Sequence, residues 1–100
     1  MTLEDVAAAA QELDGVRERR VSGRLRWQYD GRLVARQLDA TSIVVRTDFG
    51  PRERLVARHP ETFTVPPRFE AHMMVVVELA HADPAAVRRA LAAGRDLQRG

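Results

Sequence analysis

The sequence of 100 residues contains no cysteine. That absence excludes disulfide bridges, thiolate nucleophiles and cysteine-ligated zinc. Lysine is absent too, so all 16 cationic side chains are arginine. A chain without lysine has no Schiff-base chemistry and no lysine general base. No apolar run approaches the roughly 18 residues of a membrane span, so no membrane partner is expected. The first residues include Glu4 and Asp5 where a secretory signal would carry a basic segment followed by an apolar one. With the missing cysteines, this makes a cytoplasmic location the expectation. His59, His72 and His81 lack metal-ligand spacing, no carboxylates pair at catalytic spacing, and neither Ser22 nor Ser42 has a recognisable base partner. The chain is therefore expected to be no enzyme and to hold no metal or cofactor.

What is present fits one domain with one modest core. The hydrophobic fraction of 45% and charged fraction of 30% argue against disorder. The net charge is only +2, but with arginine as the sole cation the isoelectric point reaches about 10.3. Compositional bias in the coding sequence is one cause of an all-arginine set. Phosphate recognition, for which the planar guanidinium is better suited than ammonium, is the other.

Thr2 caps a helix whose apolar stripe is Leu3, Val6, Ala7, Ala10 and Leu13, and Gly15 stops it. From Val21 the period changes to two. Val21, Gly23, Leu25, Trp27 and Tyr29 alternate with Arg20, Ser22, Arg24, Arg26 and Gln28, predicting a strand with one apolar and one arginine-rich face. Ser22-Gly23 marks either a bulge or a break into two short strands. Asp30-Gly31 predicts a hairpin, followed by strands over about Arg32 to Leu38 and Thr41 to Thr47. A short helix follows Pro51, with Leu55 and Val56 inward, and Pro60 closes it. Phe63 and Val65 belong to a short strand. Met73 to Leu79, an almost continuous apolar run, reads as a buried central strand. Asp83-Pro84 starts a final helix with Val87, Ala90, Leu91, Gly94 and Leu97 inward. The expected architecture is α+β in two layers: an antiparallel sheet of about five to six strands with three helices mainly on one face. The element order is α-β-β-β-α-β-β-α, with the first strand open to being split.

Several segments carry a family resemblance: Leu13-Asp14-Gly15-Val16, Trp27 through Gly31-Arg32-Leu33-Val34-Ala35, the helix Pro51 to His59, Pro60-Glu61-Thr62-Phe63, and His72-Met73-Met74-Val75-Val76-Val77 before the Asp83 helix. In order and spacing they resemble the MmcQ/YjbR family, small bacterial proteins of a "double-wing" α+β fold grouped with type III secretion chaperone-like folds. The resemblance runs from about Leu3 to Leu97. It departs at Met73, where family members often have tryptophan, and at Val34, where they often have phenylalanine. It implies the same fold and, through the family's usual label, DNA binding; it implies no catalytic residues.

Two groups of residues are candidates for function. Arg17, Arg19, Arg20, Arg24 and Arg26 fall within ten residues, and in a single strand Arg20, Arg24 and Arg26 share a face. Arg36 and Arg46 would join them from neighbouring strands, making a phosphate-binding surface for DNA or RNA. The plainer account is a solvated face diluted by Glu12, Glu18, Asp30, Asp39 and Asp48. The second group is a pocket of Trp27, Arg68, Phe69 and His72, although Trp27 reads first as a core residue. The loop Pro66 to Glu70 is expected to be a mobile edge, either gripping a ligand or partner or, more simply, connecting two elements. The competing functional class is a protein-interaction or chaperone-like adaptor, self-associating as a homodimer. The outer sheet face discriminates the two: arginine favours nucleic acid, whereas apolar residues such as Ile43 and Val45 would favour a protein partner.

Overall fold

In the computed structural model, which describes all 100 residues, the order is α1 (Leu3–Gln11), β1 (Val16–Val21), β2 (Arg24–Tyr29), β3 (Arg32–Asp39), β4 (Ser42–Arg46), α2 (Phe49–Arg58), β5 (Phe63–Thr64), β6 (Met74–Glu78) and α3 (Pro84–Arg99). All strand pairs are antiparallel and form one open sheet of order β1-β2-β3-β4-β6-β5. The α+β class, the antiparallel sheet and the three helices are as the sequence predicts. No helix is long and apolar enough to cross a membrane.

The first predicted strand is two strands. Ser22 (φ 52°) and Gly23 (φ 78°) both lie in the left-handed region, as do Asp30 (φ 50°) and Gly31 (φ 78°). Two successive residues at positive φ make the tight hairpin turn whose twist matches that of the flanking strands. Each pair holds a glycine, which adopts that conformation without a Cβ penalty. The sheet therefore begins with two hairpins made almost wholly of local contacts.

The helices pack on one sheet face. Val6 and Ala10 of α1 and Ala86, Val87, Ala90 and Leu91 of α3 meet Trp27, Ala35, Ile43, Val45, Val75, Val77 and Phe63 in one buried cluster. Leu55 and Val56 of α2 pack against the same cluster. The register between β2 and β3 shifts at Trp27/Gln28, leaving Val34 without a direct partner. Val34 lies against Gly94 of α3, where an added Cβ would stand 3.1 Å from the Arg46 carbonyl oxygen. Gly94 is thus the point at which α3 settles onto β3 and β4.

The opposite face carries a smaller cluster. Val44 and Val76 are buried beneath Phe69, with Leu38, Val65 and Met74 around them. Phe69 ends a short 3₁₀ turn, Pro67–Phe69, within the connection from β5 to β6. The segment predicted to be a mobile edge is a packed cover, because its aromatic ring is buried on the sheet.

Candidate nucleic-acid interface

The register decides which arginines share a face. Arg19 pairs with Arg26, Arg26 with Arg36, Arg36 with Val44 and Val44 with Val76, making one row across the sheet. Val44 and Val76 lie on the face away from the main helix-packed core, so Arg19, Arg26 and Arg36 do as well. Alternation places Arg17, Arg24 and Arg46 on that same face. Arg20 is different. It pairs with Leu25, which packs toward the helices, and its Nη1 donates to the Gly23 carbonyl at 3.2 Å. The expectation that Arg20, Arg24 and Arg26 share a face is therefore corrected. The turn at Ser22-Gly23 reverses the chain and restarts the alternation, which also moves Val21 to the arginine side, opposite Arg24.

Arg24, Arg26 and Arg36 line a shallow depression of about 220 Å³ together with Val21, Leu25 and Gln37. Arg68 approaches from the 3₁₀ turn, its guanidinium carbon 5.1 Å from the centre of the Phe69 ring. Burial first, then the charges of Arg26, Arg24 and Arg68, push the Arg36 guanidinium below its ordinary value. None of these four arginines forms an ion pair. The Arg26 Nε is buried without a hydrogen-bond partner.

Two of the acidic residues expected to dilute this charge, Glu18 and Asp39, are engaged in hydrogen bonds elsewhere. Glu18 Oε1 accepts from Trp27 Nε1 at 2.9 Å and from Gln11 Nε2 at 3.4 Å. Asp39 Oδ1 accepts from the Thr41 backbone N–H at 2.9 Å and the Ser42 hydroxyl at 2.7 Å. These bonds, the Thr41 backbone bond foremost, hold the Asp39 carboxyl below its usual value. Glu12, Asp30 and Asp48 make no ion pair. Arg46, on the same face, is occupied by the Met73 carbonyl at 2.9 Å. Arg17 and Arg19 border a separate depression toward the Asp30 turn.

The second predicted group does not assemble. Trp27 is fully buried in the cluster beneath the helices, whereas Phe69 caps the other side of the sheet. His72 is exposed, and its carbonyl accepts from Arg52 Nη1 at 2.7 Å. Trp27, Arg68, Phe69 and His72 thus do not line one pocket, because the sheet lies between the tryptophan and the Phe69 turn. Ile43 and Val45 likewise face the helices, leaving Val44 as the outward apolar residue of β4.

Arg52 matters more than its position in a charged helix suggests. It is buried in α2, and its Nη1 reaches the carbonyls of Phe69 at 3.3 Å, Glu70 at 3.1 Å and His72 at 2.7 Å. Its guanidinium carbon lies 4.8 Å from the centre of the Phe49 ring. This arginine ties α2 to the segment covering the outer face. Only the spacing of Arg52 one turn ahead of Val56, on the inward side of the helix, hints at it in the sequence.

No group of three or more histidine, aspartate or glutamate side chains is placed to hold a metal ion. The chain matches no family model, no curated protein and no solved structure.

Proposed function

We propose that this chain is a nucleic-acid-binding or regulatory module that holds a phosphate backbone against the arginine half of its open sheet face and acts by binding. The observation that carries this reading is the convergence of Arg24, Arg26, Arg36 and Arg68 without a carboxylate partner. Like charges directly opposite in a sheet are unfavourable, by up to about 1 kcal/mol per pair. Arg19–Arg26 and Arg26–Arg36 are two such pairs in succession. A bound polyanion relieves that repulsion and supplies acceptors for the forked guanidinium donors.

The same face predicts the mode of binding. Trp27 and Phe69 are buried, so neither ring is available for stacking on bases. Recognition would then rest on phosphates and be largely independent of sequence. The label of the MmcQ/YjbR family, which the chain resembles, agrees with this reading. The adaptor alternative has less support, because Val44 and Val76 are already covered by Phe69, which leaves Val21 as an exposed valine beside arginines.

Fluorescence anisotropy with mixed-sequence single- and double-stranded DNA and RNA tests the proposal. If the four guanidiniums each displace one counterion, the slope of log K against log salt is about −3 to −4. Absence of a salt-dependent signal at low ionic strength for every probe overturns the reading.

A further inference from the structure

The other side of the molecule holds a second cationic site, in the cleft between α2 and α3. Its volume is about 320 Å³. That falls at the lower end of the roughly 300–1,000 Å³ typical of small-molecule sites. The cleft exists because α2 packs toward β5 and β6 while α3 lies over β2, β3 and β4, leaving space between them. Ala90 and Ala93 present only methyl groups along α3 and do not fill it. Its floor is apolar at Leu55 and Ala90, with the buried Thr47 beside them.

The rim is cationic. Arg54 and Arg58 are one turn apart on α2, so they project from the same side of that helix. Arg89 stands across from them on α3. None of the three forms an ion pair, and no aspartate or glutamate lines the cleft. His59 closes one end, its Nδ1 3.9 Å from Asp83 Oδ2 just outside the lining. Three guanidiniums around an apolar floor concentrate positive potential where a ligand body would be desolvated.

We propose that the α2–α3 cleft binds a small organic phosphate monoester: a dianionic head held by Arg54, Arg58 and Arg89, and an apolar or aromatic body against Leu55 and Ala90. Three forked donors suit a tetrahedral phosphate, which offers several acceptor oxygens at once. The apolar floor distinguishes this ligand from free phosphate. The site is independent of the arginine face of the sheet, which is built from other residues on the opposite side.

Isothermal titration of the whole chain with phenyl phosphate, inorganic phosphate and phenol tests the assignment. Phenyl phosphate is expected to bind at least about tenfold more tightly than either fragment, a difference of about 1.4 kcal/mol. The double variant Arg54→Ala/Arg89→Ala should weaken phenyl phosphate by about tenfold or more. Ala93→Leu, which narrows the cleft without removing charge, should weaken phenyl phosphate and spare inorganic phosphate; circular dichroism and the thermal midpoint verify that each variant is folded. Arg26→Ala/Arg36→Ala on the sheet should leave phenyl phosphate affinity unchanged. The proposal is overturned if phenyl phosphate fails to bind at millimolar concentration or binds no better than inorganic phosphate. It is overturned equally if binding survives Arg54→Ala/Arg89→Ala in folded protein, or disappears with the sheet variant.

Discussion

One row of residues crosses the outer face of the sheet, and its two halves have opposite character. On β1, β2 and β3 it is Arg19, Arg26 and Arg36; on β4 and β6 it is Val44 and Val76. The change falls between Arg36 and Val44, which are direct neighbours. The valine half is covered by the Pro67–Phe69 turn and belongs to a core. The arginine half has no cover and no ion-pair partners. A single sheet face thus serves folding at one end and, on the proposed reading, binding at the other. The covering segment, whose Phe69, Glu70 and His72 carbonyls Arg52 holds, defines where one role stops.

This contrast can be broken most strongly from the valine side. Phe69→Ala should cost about 3 kcal/mol, since it removes the ring that shields Val44 and Val76. Urea denaturation measures the loss, and a cost below about 0.5 kcal/mol would show that the cover does not belong to the core. Arg52→Met should cost about 2 kcal/mol, because the aliphatic stem is kept while three carbonyls lose their buried donor. Its more informative readout is local: faster amide exchange across residues 66 to 73, with α3 unchanged, is expected.

On the arginine side the expectation reverses. Arg26→Ala/Arg36→Ala should reduce the salt slope of nucleic-acid binding by about 2. It should not destabilise the protein by more than about 0.5 kcal/mol, because neither residue has an ion pair to lose and the two like-charge pairs are relieved. If this variant instead unfolds the protein and leaves binding intact, the division of the face into two roles is wrong. The smallest effect concerns pH. The folded-state value of Asp39 is depressed by its turn hydrogen bonds. Its contribution is therefore complete above the unfolded-state pKa, near 4, and fades as pH falls through the lower folded value. Acid titration of Asp39→Asn should show a slightly shallower loss of stability below about pH 4 than the parent chain.

The two halves also differ in how far they could be read from sequence. Period-two alternation, two glycine turns and a valine run were sufficient for the strands and their antiparallel arrangement. The side on which each arginine lies was not legible without the Ser22-Gly23 turn. An uninterrupted strand and a two-residue hairpin are compatible with the same run of residues, yet they send Arg20 to opposite faces relative to Arg24 and Arg26. Trp27 was legible as a core residue from its alternation with Arg26 and Gln28, whereas its bond to Glu18 depends on the β1–β2 register. Arg52 and Phe69 were least legible. Arg52 owes its burial to contacts between α2 and a connection about 17 residues later in the chain, and Phe69 to its seat on Val44 and Val76 of β4 and β6; no local period encodes either contact.

The sheet's edges have a consequence for self-association. An open sheet leaves unpaired N–H and C=O groups along its outermost strands, a template for further strands. At one end β5 is only Phe63–Thr64, too short to offer a useful ladder. At the other, β1 is six residues long but carries Arg17, Glu18, Arg19 and Arg20 in succession. A second copy docking there would bring a predominantly cationic strand alongside its own likeness. Length blunts one edge and charge the other, so the lattice of strands is terminated at both ends.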